Sequence, residues 1–164
     1  MTDPARFPAD VESALREAGW APGRDERSRA RMWALALASH ASPSGHQHTV
    51  VPAAMAAFAE FGGLTVSAAG AGAAVARSGI VFDPLRGLHS ASTLAGLGEL
   101  IGARLTPIGE EESGAALLAV DDRGRVFVLD HTADWYAGAS VDEAITTLVA
   151  GRLPARLNDE GTWA

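Results

Sequence analysis

The chain has 164 residues, of which 48% are hydrophobic, and it carries a formal net charge of −7 with no lysine and no cysteine. That length suits one domain able to bury a core of its own. The missing cysteines exclude disulfides, thiol nucleophiles and thiolate metal centres, and no apolar run approaches the ~18 residues of a membrane-spanning helix.

The first element expected is a helix over Pro8–Ala18, where Val11, Ala14, Leu15 and Ala18 recur at i, i+3, i+4 and i+7. Gly19 is its stop, and Trp20–Arg24 reads as a turn. A second helix falls within Glu26–His40. It opens on a dense charge run containing Arg24, Arg27, Arg29 and Arg31, expected to be a solvated face, and continues through the apolar Met32–Leu37. Ala41–Thr49 is a loop rich in turn formers. Pro52 suits the first turn of a third helix, where a missing N–H costs nothing. Met55, Phe58 and Phe61 mark its buried stripe, and Gly62–Gly63 ends it.

Short strands are expected at Leu64–Ser67 and at Gly79–Asp83, the latter stopped by Pro84. The Ala/Gly run Ala68–Ala76 between them reads as a flexible turn. Ser92–Ala103 has helical spacing in Leu94, Leu97 and Ile101, weakened by Gly96 and Gly98, each costing about 1 kcal/mol relative to alanine. Strands follow at Leu105–Ile108, Ala115–Val120 and Val126–Leu129. Asp121–Arg125 joins the last two as a hairpin turn in which Gly124 supplies a positive φ. Ala115–Val120 does not alternate, which predicts a central strand covered on both faces. The last helix is announced by Ser140 and Glu143, a capping-box pair. Val141, Ala144, Ile145, Leu148 and Val149 follow in helical register, with Gly151 as the stop. The ordered core is expected over about residues 7–152, with 153–164 a fraying tail whose Trp163 can dock elsewhere.

Charge is distributed unevenly. Residues 1–98 balance 8 acids against 8 arginines, whereas residues 99–164 hold 12 acids and 5 arginines. An acidic C-terminal part argues against nucleic acid as a direct ligand and permits a basic protein partner, with plain solubility as the equal alternative. No membrane contact is implied, and without a basic region followed by an apolar run a cytoplasmic location is the default.

No arrangement of residues specifies catalysis. Gly-x-Ser-x-Gly is absent, and Gly70 and Gly72 have no lysine beside them for a phosphate loop. His46 and His48 share one side of an extended segment as a metal pair would, but no third ligand stands at a recognisable spacing, so no metal and no cofactor are expected. A small enzyme built on the histidines is the reading set aside. Glu110, Glu111 and Glu112 form an acidic run after a strand, either a solvated turn or a docking patch. Asp121 and Asp122 are first of all turn formers. Trp135 and Tyr136 stand in a polar stretch before the last helix, in the manner of interface aromatics or of a staple under the helix start.

Four blocks resemble one known family. They are Phe7 with Ala14–Arg24, Val51–Leu64 with its Glu60-Phe61-Gly62-Gly63-Leu64 ending, Phe82-Asp83-Pro84, and Pro107–Glu110 with Gly114–Val120, Gly124–Phe127 and Gly151-Arg152. In order and spacing they resemble the SUKH superfamily immunity proteins, third subfamily, relatives of the Smi/Knr proteins. The resemblance implies an α+β fold with a mostly antiparallel sheet packed against helices. It implies an antitoxin of a bacterial polymorphic toxin system that binds a cognate toxin domain, often a nuclease or a nucleic-acid deaminase, and occludes it. The alternative is a non-toxin scaffold or regulatory module of the same fold. The residues expected to face a partner are Glu110, Glu111, Glu112, Asp121, Asp122, Asp134, Trp135 and Tyr136. Oligomeric state is not specified.

Overall fold

The computed structural model describes residues 5–164, and of the five α-helices there only the last is started by a side-chain cap, from Ser140. α1 (Ala9–Glu17) and α2 (Arg27–Ser39) are followed by α3 (Pro52–Phe61), with Pro52 in its first turn. Two-residue strands β1 (Thr65–Val66) and β2 (Ile80–Val81) flank the Ala/Gly run. A 3-10 segment, Pro84–Ser90, then leads into α4 (Ala91–Ile101), which Gly102 ends in the left-handed conformation. The Asp83 carboxylate starts the 3-10 segment by accepting from the Leu85 N–H at 2.9 Å.

The remaining strands are β3 (Leu105–Glu111), β4 (Leu117–Asp121), β5 (Val126–Leu129), β6 (Asp134–Gly138) and β7 (Ala155–Arg156), with α5 (Val141–Ala150) between the last two. The seven strands form one antiparallel sheet in sequence order, each beside its chain neighbour. The α+β class is the expected one. Pro107, a residue with no ladder donor, is accommodated at a bulge in β3, where the register to β4 shifts before Gly109. A Cβ on Gly109 would stand 2.0 Å from the Val81 carbonyl oxygen, so β2 and β3 can approach only with glycine there.

Strand alternation divides the core into two layers. Ile108, Leu118, Val120, Val126, Val128 and Ala137 face a large cluster completed by Val11, Leu15, Phe58, Phe61, Ile145 and Val149 of α1, α3 and α5. Leu105, Ala119, Phe127 and Leu129 face a smaller cluster with Leu94 and Leu97 of α4 and Leu157. The expectation that Ala115–Val120 is covered on both faces is met by β4.

Three local results were not expected. The Ala/Gly run is a cap rather than a loose turn. The N–H groups of Ala73, Ala74, Val75 and Ser78, with Arg77 Nε, donate to the carbonyls of Leu148, Val149, Ala150 and Gly151 at the end of α5. These are the acceptors that a helix end leaves unpaired. Gly72 and Gly151 make the approach possible: a Cβ on Gly72 would lie 2.5 Å from the Gly151 Cα. Second, Asp134–Gly138, read as a polar stretch with two aromatics, is a strand. Third, the tail expected to fray is docked. β7 pairs with β6, Leu157 is buried, and the Trp163 ring stacks on Tyr136 at 4.6 Å. Apolar surface left on the second face of the sheet explains the docking, since α4 covers only part of it.

Arg27, Arg29 and Arg31 are exposed, as expected of a solvated face, but Arg24 is not, and two of the run bond the end of α3. Arg24 donates to the carbonyl oxygens of Glu60 at 2.8 Å and Gly62 at 2.9 Å, closing the C-terminal end of α3. Arg29 reaches the same Gly62 carbonyl at 3.3 Å. Arg6 forks between Glu60 and Asp142, tying the N-terminal segment to α3 and α5.

Candidate partner-binding surface

The eight residues singled out in the sequence lie at two ends of the sheet. Glu110 and Glu111 end β3, and Glu112 opens the following turn. The ladder places Glu110 opposite Leu117, Leu117 opposite Leu129, and Leu129 opposite Asp134, so Asp134 belongs to the same end. Asp121 and Asp122 stand at the other end of β4, a five-residue strand and hence roughly 15 Å away.

The side chains at the first end are not equivalent. Glu110 is drawn to Arg86 at 3.0 Å and its charge is met there. Glu112 is exposed and accepts from the Ser67 hydroxyl at 2.7 Å. Glu111 and Asp134 are half-buried, and burial, with the charge of Asp130 added, pushes both carboxyls above their ordinary range. Asp130 lies between them in effect. Burial would raise it, but hydrogen bonds from Thr132, Ala133 and the Trp135 indole outweigh burial and hold it at about 2. This end of the sheet therefore carries one firmly ionised carboxylate flanked by two that gain from a positive neighbour. A recess of about 310 Å³ between Glu111, Glu112, Ser113 and Gly79 opens beside them.

Asp130 is the residue sequence reading missed. Its signal was present in the Asp130-His131-Thr132 triplet, since an aspartate two residues before a threonine N–H is an Asx turn.

At the opposite end Asp121 is corrected. It is fully buried, and its carboxylate is taken up by the backbone N–H groups of Arg123 and Arg125 and by Arg125 Nε at 2.7 Å. A partner cannot reach it from this position, and its turn-forming role is the one the structure displays. Asp122 is exposed, with Arg104 Nε 3.5 Å away. Trp135 and Tyr136, adjacent on β6, point to opposite faces. Trp135 packs against the large core and donates to Asp130 at 3.0 Å. Tyr136 is held between Phe127 and Trp163 in the smaller one.

The histidines divide differently from the pairing that their spacing suggests. His46 is exposed and His48 is buried. His48 instead gathers with His40, 6.4 Å between centroids, and His40 with His89 at 5.0 Å. His48 Nε2 donates to the Leu88 carbonyl at 2.7 Å, while Nδ1 is buried without a partner among the described residues. No group of three or more histidine, aspartate or glutamate side chains among the described residues is placed to hold a metal ion.

An antiparallel sheet with buried clusters on both faces, packed against helices, defines an α+β domain. The sequence pattern of the SUKH-3 immunity protein family matches residues 7–151, and the chain belongs to that family. No curated protein and no solved structure matches it. Among the described residues no helix is long and apolar enough to cross a membrane.

Proposed function

We infer that the protein is the antitoxin of a bacterial polymorphic toxin system, and that it neutralises a cognate toxin domain in the cytoplasm by binding over it. Membership of the SUKH-3 immunity family carries this reading. Occlusion requires no catalytic group of its own. The toxin is taken to be a basic nucleic-acid deaminase or nuclease, because such domains must attract phosphates and the excess acid of this chain lies in residues 99–164. Glu111, Glu112 and Asp134, joined by Asp130 and bordered by Trp135, are the contact set at one end of the sheet. Glu110, paired to Arg86, and Asp122 at the far end are secondary. Tyr136 supports the sheet beneath the tail.

The test is co-expression with the toxin encoded beside this gene. Cells carrying both are expected to survive, and the two proteins to elute together. Equal killing with and without this protein would reject the reading.

A further inference from the structure

Helix α2 has a surface that neither the core nor the acidic end accounts for. Met32 and Leu35 are 70% and 69% exposed, high values for large apolar side chains. Leu35 lines a shallow groove of about 500 Å³ with Ala34, Ala38, Val50 and Met55, closed at one side by Arg31. Arg27, Arg31 and Leu35 fall at i, i+4 and i+8, so one stripe of the helix runs from two cations into the apolar floor.

The charge of this helix opposes that of the rest of the chain. α2 contains Arg27, Arg29 and Arg31 and no acid, in a protein of net charge −7. Its first turn sets arginines against the positive end of the helix dipole, with no side-chain cap, which disfavours the helix. Arg24 and Arg29 have a use in closing α3, and Arg27 pairs with Asp25 at 2.6 Å. Arg31 is exposed and enters no ion pair among the described residues. An incoming carboxylate would relieve the dipole, neutralise Arg31 and bring apolar atoms onto Met32 and Leu35 together.

We propose that the groove between α2 and α3 is a docking site for an amphipathic protein segment whose apolar side chains are flanked by carboxylates. It recognises the opposite charge from the acidic end of the sheet and lies on different elements, so it does not rest on the toxin reading. The shallow, open shape fits a helix laid along α2 in the helix-in-groove manner. Met55 gives the floor the adaptability seen at such surfaces, and exposed Met32 lies on α2 beside it.

The probe is a fluorescent amphipathic peptide of 13 residues, the length of α2, with leucines at helical spacing and glutamates on its flanks. A second peptide replaces each glutamate by lysine. Anisotropy titration of the full chain is expected to give saturable binding of the glutamate peptide and none of the lysine peptide. Leu35→Glu and Arg31→Glu are each expected to raise Kd about tenfold or more, with circular dichroism unchanged. Both side chains are exposed, so neither change disturbs the core. Absence of glutamate-peptide binding, equal binding of the lysine peptide, or indifference to Leu35→Glu would each overturn the proposal. So would a concentration-dependent dimer in sedimentation that Leu35→Glu abolishes, which would give the face to a second copy. Retention on phosphatidylserine vesicles without peptide binding would give it to a lipid surface.

Discussion

Arg24 shows how one side chain joins segments far apart in sequence. Its guanidinium bonds two carbonyls that the end of α3 leaves open, and the side chain is largely buried in doing so, at 14% exposure. Hydrogen bonds to a charged group contribute about 1.5–3 kcal/mol each, and removal leaves the Glu60 carbonyl without this donor and the Gly62 carbonyl with the longer bond from Arg29 alone. Arg24→Ala should therefore lower stability by about 3 kcal/mol in urea denaturation, with Arg24→Lys recovering only part because an ammonium lacks the planar fork. His48 makes a pH-dependent contribution. Burial, reinforced by the nearby His40 and His89 and only partly offset by the Leu88 carbonyl, holds its imidazole below the ordinary value of 6.5. The unfolded chain then binds the proton more readily than the folded one. Its contribution is complete above about pH 6.5 and is lost as pH falls from there toward the folded-state value. Stability measured between pH 7.5 and 5, ranges chosen to bracket an ordinary histidine at about 6.5, should fall on acidification. The slope should flatten in His48→Gln, and an unchanged slope would assign the effect elsewhere.

Elements differ in how plainly their residues announce them. β5 is present over the predicted Val126–Leu129, and α5 begins where Ser140 and Glu143 imply, the Ser140 hydroxyl accepting from the Glu143 N–H at 3.1 Å. Both are local patterns of period or capping. β6 and β7 are not local. β6 opens after the Asp130 turn and its two aromatics serve opposite faces, while β7 is two residues long, too short to show a period. The cap made by residues 73–78 is invisible for the same reason: alanine and glycine carry no pattern, and their use is to let backbone approach the end of α5. The docked tail yields a prediction at this scale. Trp163 stacks on Tyr136, meets Phe127 edge-on at 5.6 Å, and lies under the Arg125 guanidinium at 5.4 Å. Trp163→Ala should cost about 2 kcal/mol, a fall of about 4–8 °C in Tm, whereas a frayed tail would leave Tm unmoved.

Two local charge clusters of opposite sign stand apart in the molecule. Acid gathers where β3 and β5 end and β6 begins, and three arginines with no acid stand on α2. The sequence discloses the C-terminal excess by simple counting. It does not disclose that Asp121 turns inward or that Asp130 joins Glu111 and Asp134, because both depend on strand register rather than on residue type. A prediction follows for the proposed toxin complex. Reversing Glu111 and Glu112 to lysine should slow association about tenfold at low salt, with the gap closing as added salt shortens the reach of the field to about 3 Å at 1 M. An unchanged on-rate would remove the acidic end from recognition while leaving binding itself in place.

The sheet ends on β1 and β7, both only two residues long. Such margins offer a passing chain almost no row of free N–H and C=O groups to zip onto. The molecule is thereby guarded against growing its sheet into fibrils. The same brevity leaves strand addition a poor means of capture, and directs any partner toward side chains at the sheet's ends and on its outer helices.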